Sequence, residues 1–327
     1  MKKLIIKYFI KKILQKLWVW IITISIFSII FSKYFFIFLF FILIRFLIKE
    51  FKFYTTSLLP SKDIKLTNFK NFSYYYYYLD INFDDNEIKF NNDGISFFDY
   101  GYPIGKKITP THVSFVSLMY LQKYLKNRNS NYYYKVYKNH VEWIKNKYID
   151  LGFRGYVWVF NFDWKEGCGV LKAPWFSALS QGLVVSVLIR NYLIFGDEES
   201  FMLAKKAVEI FEFDVPFGVR YVENNFWLYE EYPILPPVHI LDGFLISLLG
   251  LYDLVVVSSE EKHKKLFYKG IEGLEYKLPY YDYKRMWSIF GGHNLLSSTH
   301  YNLMNSKLLE VMYKVTNNRI FLLYSNF

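Results

Sequence analysis

Leu241-Asp242-Gly243-Phe244-Leu245, in an apolar run that ends near Tyr252, is the stretch that decides the fold. Its apolar residues recur at helical spacing and leave little polar face for water, so the helix belongs inside a domain. Three other segments share the plan of a small or polar start and a long apolar run. Thr111-His112-Val113-Ser114-Phe115 leads to Tyr124, Ser180-Gln181-Gly182-Leu183-Val184 to Tyr192, and Thr299-His300-Tyr301-Asn302-Leu303 to Tyr313. The four recur about every 60–70 residues, with amphipathic helices such as Glu199–Phe213 and Glu260–Lys277 between them. Inner helices alternating with outer ones predict a mainly α chain, folded as an α/α toroid (an incomplete α/α barrel). In such a ring the polar starts gather at one rim, where helix N-termini favour an anion. Thr111 and Thr299 also suit plain N-caps.

Upstream of these helices the pattern changes. Ile81-Asn82-Phe83, Ile88-Lys89-Phe90 and Ile95 to Phe98 alternate like short strands, with Asp84-Asp85-Asn86 and Asn91-Asn92-Asp93-Gly94 as turns. The Tyr74–Tyr78 run reads as strand and core. The expected organisation is a membrane anchor over 1–52, a polar linker over 53–72, a β-rich segment over 73–105 and the toroid over 106–327. The acidic turn Asp80–Glu87 reads as solvated, and no metal site is expected.

The chain carries a net charge of +11, of which +9 sits in residues 1–52. The folded part is therefore close to neutral, which argues against nucleic acid as a partner. Leu17 to Ser32 and Tyr34 to Ile44 are apolar on either side of Lys33. Together they are long enough to span a bilayer, and no small-residue cleavage site follows. A single tilted anchor with lipid contact over residues 17–44 is expected, and a two-segment hairpin is the alternative. Six lysines precede the apolar stretch, which favours a cytoplasmic N-terminus. One span then leaves the rest outside the cytoplasm, and a hairpin leaves it inside. The single cysteine, Cys168, excludes an intrachain disulfide and a thiolate cluster.

The chemistry concentrates in Trp227-Leu228-Tyr229-Glu230-Glu231-Tyr232-Pro233. Two carboxylates between phenols supply groups that move protons to and from carbon, and the rings supply faces for sugars. Pro174-Trp175-Phe176-Ser177-Ala178-Leu179-Ser180-Gln181-Gly182, continuing to Arg190-Asn191-Tyr192, resembles the heparosan D-glucuronyl C5-epimerase family. So do Tyr229–Pro233, Asp242-Gly243-Phe244 with Leu248–Leu254, Leu278-Pro279-Tyr280-Tyr281-Asp282, and Thr299-His300, all in the family's order. Tyr102-Pro103-Ile104 and Thr109-Pro110-Thr111 look like its loop into the first helix.

The resemblance implies a β-rich part before an α/α barrel. It also implies conversion of D-glucuronate to L-iduronate within a polysaccharide, with no cofactor. Glu231 takes the place of the family's catalytic glutamate and Tyr232 that of its neighbouring tyrosine. Trp175, Gln181, Arg190, Trp227, Tyr229 and Glu230 are expected around the substrate. A tyrosine and an arginine of the family fall on Ile289 and Gly292, and a second catalytic tyrosine falls on Leu296. Tyr281, Arg285, His293 and His300 are the nearby substitutes expected to complete the site, Arg285 by holding a carboxylate. The partner expected is an acidic polysaccharide or glycolipid-linked glycan, with a homodimer of the chain as a further option. A uronate lyase and a membrane-tethered glycan binder are the competing readings.

Overall fold

The computed structural model describes residues 11, 14, 17–18, 38, 40–45, 65–66, 77–80, 87–167, 169–292 and 295–326. Most of the 53–72 linker, the expected strand Ile81-Asn82-Phe83, Cys168, His293 and most of the 17–44 anchor lie outside the described residues. The chain divides into two compact units. Met1–Lys62 with Ser297–His300 form one, and Asp63–Leu296 with Tyr301–Phe327 form the other.

The second unit is mostly helical. Its helices are α1 (Pro110–Lys126), α2 (Asn131–Asn146), α3 (Ala178–Phe195), α4 (Glu198–Ala207), α5 (Leu241–Val257), α6 (Glu261–Tyr281), α7 (Thr299–Thr316, from Tyr301 onward) and α8 (Arg319–Tyr324). Three of the four expected apolar helices pack against the more polar one that follows: α1 on α2, α3 on α4 and α5 on α6. The apolar helices also pack on each other, α1 against α3 and α3 against α5. This is the inner and outer pairing that the sequence pattern predicts.

Local chemistry sets the helix ends. Thr109 caps α1 through the His112 amide at 3.3 Å, with Pro110 in the first turn. Thr111 is therefore not the cap. Ser130 and Asp197 cap α2 and α4, and Gly196 closes α3 in the left-handed conformation at φ 69°. Two glycines bring α3 and α5 into backbone contact. A Cβ at Gly182 would lie 2.6 Å from Ser247 Cα, and one at Gly250 would lie 2.2 Å from the Gly182 carbonyl oxygen.

Helix α3 is the one described helix that is long and apolar enough to cross a membrane, and 78% of it is buried. Its apolarity is explained by neighbours on every side rather than by lipid.

The strands are short. β1 (Lys65–Leu66) pairs with β2 (Leu79–Asp80), and β3 (Lys89–Phe90), β4 (Ser96–Asp99) and β5 (Lys106–Lys107) form an antiparallel sheet. Antiparallel pairs β6–β7 (Ile149–Asp150, Tyr156–Val157), β8–β9 (Trp164–Glu166, Gly169–Leu171), β10–β11 (Arg220–Glu223, Phe226–Tyr229) and β12–β13 (Asp282–Tyr283, Trp287–Ser288) fill the connections between helices. Tyr77 and Tyr78 are fully buried. Their rings lie 5.3 Å from the Arg190 guanidinium, and the Tyr78 hydroxyl donates to Asp253 at 2.6 Å. Tyr77 and Tyr78 thus lie in the core as expected but outside any strand, and Tyr74–Tyr76 lie outside the described residues.

Candidate active site

The Trp227–Pro233 run is held by α6. A Cβ at Gly273 would lie 1.8 Å from the Trp227 carbonyl oxygen, and one at Gly270 would lie 2.6 Å from the Tyr229 ring. Only glycine lets β11 come this close. Where the strand ends, consecutive side chains point to opposite sides, and the two glutamates separate. Glu230 turns inward and is buried, accepting from the His239 amide at 3.0 Å and bonding the His239 ring. Glu231 turns into a cleft.

That cleft spans about 410 Å³, part of it open to solvent, and is lined by Tyr100, Thr111, Phe160, Phe162, Trp164, Trp175, Ser177, Glu231 and Tyr232. Its floor is a built aromatic stack. Phe160 and Trp175 lie face to face at 4.0 Å, joined by mutual backbone hydrogen bonds of 2.7 and 3.2 Å. The Trp175 indole N–H donates to the Phe162 carbonyl at 2.9 Å, so its orientation is fixed. Trp164 lies nearly parallel to Tyr232, and its edge meets the Tyr100 ring at 5.9 Å.

The carboxyl of Glu231 lies against the first turn of α5. A Cβ at Gly243 would stand 2.4 Å from Glu231 Oε2 and 2.6 Å from its Cβ. Burial raises the Glu231 pKa well above the usual carboxylate range, and the Asp242 charge adds to it, as do Glu166 and Glu230. The Tyr232 hydroxyl donates to Glu231 and opposes this shift. Burial pushes Asp242 up to about 7, while backbone N–H groups at Asp242 and Gly243 pull it down. Tyr232, Tyr100 and Tyr301 are also raised, chiefly by burial, with Glu231 adding to each. These phenols keep their protons at neutral pH. A carboxyl of high proton affinity beside protonated phenols is suited to taking a proton from carbon and returning one.

Gly243→Ala is expected to keep the fold and lower turnover about 100-fold, because the new methyl displaces the Glu231 carboxyl from its seat. Circular dichroism with turnover on the same sample checks this. Unchanged turnover would show that the seat does not matter.

Of the residues expected around the substrate, Glu231, Tyr232 and Trp175 meet in the cleft. The others are not among the groups that line it. Gln181 is buried and gives its amide protons to the Tyr156 and Ala207 carbonyls at 2.9 Å each. Arg190 is fully buried and forks onto Asp253 at 2.6 and 3.2 Å. Tyr229 donates to the Leu266 carbonyl at 2.6 Å, and Tyr281 donates to that of His239 at 2.9 Å. Trp227 carries Arg220 over its ring at 4.4 Å. Glu230 holds His239, as described.

Arg285 is exposed and lines a different pocket with Asp282, Leu323, Tyr324 and Asn326. His300 falls in the first compact unit, whereas the cleft falls in the second. His293 lies outside the described residues. At Gly292 a Cβ would stand 3.0 Å from the Val238 carbonyl oxygen, so an arginine has little room there. Ile289 and Leu296 pair across a β-bridge.

Sequence reading missed Tyr100, Trp164, Asp242 and Tyr301. Asp242 stood in a quoted motif without a role, and Tyr301 directly follows the Thr299-His300 pair. It also missed Lys107, whose ammonium lies 6.0 Å from the centre of the cleft-lining Phe162 ring. Lys107 has no carboxylate partner among the described residues.

Residues 152–326 match the family described as the D-glucuronyl C5-epimerase C-terminus, and the chain belongs to that family. It is 37% identical over 127 residues to the D-glucuronyl C5-epimerase of Caenorhabditis elegans, covering 35% of this chain and 20% of that protein. It is 25% identical over 173 residues to an uncharacterised protein of Methanocaldococcus jannaschii, covering 51% of this chain and 55% of the other. The chain thus spans between a fifth and about half of the length of these relatives. Among solved structures, the cellobiose 2-epimerase of Bacillus thermoamylovorans aligns with a TM-score of 0.49 at 14% identity, over 73% of this chain and 65% of the other. A family 76 α-mannanase of Bacteroides thetaiotaomicron aligns at 0.47 and 12% identity, over 67% of this chain and 55% of the other.

Proposed function

We propose that the protein epimerises D-glucuronate to L-iduronate at C5 within a uronic-acid polysaccharide or glycolipid-linked glycan. The observation that carries this reading is the Glu231 carboxyl, set in an aromatic cleft with the phenols of Tyr232 and Tyr100. Ionised Glu231 takes the C5 proton, and the electron pair moves into the adjoining sugar carboxylate. Lys107, whose ammonium lies 6.0 Å from the centre of the Phe162 ring, is assigned to that carboxylate. Tyr100, which also lines the cleft, returns a proton to the opposite face of C5. The proton on Glu231 and the charge on Tyr100 are then exchanged away through water, which restores the starting state. Tyr232 orients Glu231 through their hydrogen bond, and Trp175 and Trp164 offer faces to the sugar. No redox step occurs, because the same carbon loses and regains a proton.

The helix pairs are assigned to an incomplete α/α toroid. The apolar residues 17–44 with their flanking lysines are assigned to a membrane anchor, with the cleft outside the cytoplasm.

Product analysis tests the reaction. Iduronate signals in the proton spectrum of a glucuronate polymer are expected after incubation. An unsaturated product absorbing in the ultraviolet would assign a lyase instead, and binding without any product would assign a glycan-binding protein.

A further inference from the structure

Asp242 is a buried carboxyl that the proton transfers above leave unused. It is 4% exposed, and its Oδ1 has no hydrogen-bond partner among the described residues. It opens α5 next to Gly243, the residue on whose Cα the Glu231 carboxyl rests. An orphaned acceptor in so closed a place is costly unless it carries a proton or shares one.

We propose that Asp242 is a positioning residue that shares one proton with Glu231, so that the pair sets when the base is ready. This rests on the role of Glu231 in the reading above. With one proton on the pair, held by Asp242, Glu231 is ionised and faces the sugar. Abstraction from C5 brings the second proton to Glu231, and its loss to water restores the pair. With two protons at the outset, Glu231 cannot act. With none, two adjacent charges would lie buried together, which the surroundings resist.

The groups facing the pair act in the same direction. Glu166 on β8 and Glu230 at the end of β11 add negative charge to Glu231, and Tyr232 donates to it. Tyr301 on α7 and Tyr281 on α6 face Asp242 as neutral phenols, and Tyr100 faces Glu231. Lys107 is the cation beside the cleft wall.

The experiment is the pH profile of C5 exchange for the native protein and for Asp242→Asn. Asparagine keeps the shape and removes the shared proton. In the native pair protonated Asp242 stabilises the Glu231 carboxylate as it ionises, and an amide does so less well, so the acid limb is expected to move to higher pH. A limb that stays in place while the maximum falls would make Asp242 merely structural and overturn the proposal. Difference infrared spectroscopy without substrate guards against a variant that fails to fold. A protonated carboxyl band is expected in the native protein at neutral pH and is expected to change in Glu231→Gln. Its absence from the native protein would overturn the shared proton. Exchange with an unmoved limb sinks only this proposal, whereas a shared-proton band without exchange at any pH sinks the epimerase reading and leaves the pair standing.

Discussion

Glu231→Gln is expected to lose about 1,000-fold or more in deuterium incorporation at C5 while remaining folded. The amide matches the carboxyl in shape, fits the space over Gly243 and can still accept from Tyr232. It cannot accept a proton from carbon. Removing a buried group with a raised pKa also relieves desolvation, so stability is expected to hold or rise. Exchange measured by mass spectrometry, beside a thermal melt, separates lost chemistry from lost folding. Exchange at the native rate would remove Glu231 from the mechanism.

Arg190→Ala is expected to cost about 3–5 kcal/mol of stability, the cost of breaking a buried ion pair. The guanidinium is fully buried, forks onto Asp253 and packs against the rings of Tyr77 and Tyr78. Without it Asp253, itself 3% exposed, is a buried charge whose remaining donor among the described residues is the Tyr78 hydroxyl. Pairing the change with Asp253→Leu is expected to recover much of the loss, since the orphaned charge goes with it. Denaturant titration of the two variants checks both statements. A loss confined to sugar binding, at native stability, would return Arg190 to the substrate.

The contrast between these residues shows what the sequence could tell. The inner helices were legible because burial on all sides leaves continuous apolar runs at helical spacing. Glu231, Tyr232 and Trp175 were legible because they sit in short motifs rich in acid and aromatic residues. Arg190 and Gln181 stand in a motif of equal quality, yet they serve the scaffold. Their partners, Asp253 for Arg190 and the Tyr156 and Ala207 carbonyls for Gln181, lie far along the chain. No local pattern marks such pairings.

Asp242 reaches Glu231 only because α5 begins against the exit of β11. Tyr100 and Lys107 come from the connection and strand beyond β4, outside the helical repeat where a second proton carrier was expected. The family's arginine falls on Gly292, whose backbone packs against Val238, and its two tyrosines fall on Ile289 and Leu296, which pair across a β-bridge. Spacing along the chain says little about which residues face a cleft formed by separate elements.

The proposed reaction turns on proton removal at C5. Its most direct test is incubation of the native protein with a glucuronate polysaccharide in deuterium oxide, followed by magnetic resonance at C5. Deuterium appearing at C5 in both glucuronate and iduronate residues is the predicted result. A polymer that binds the protein and keeps every C5 proton would contradict it.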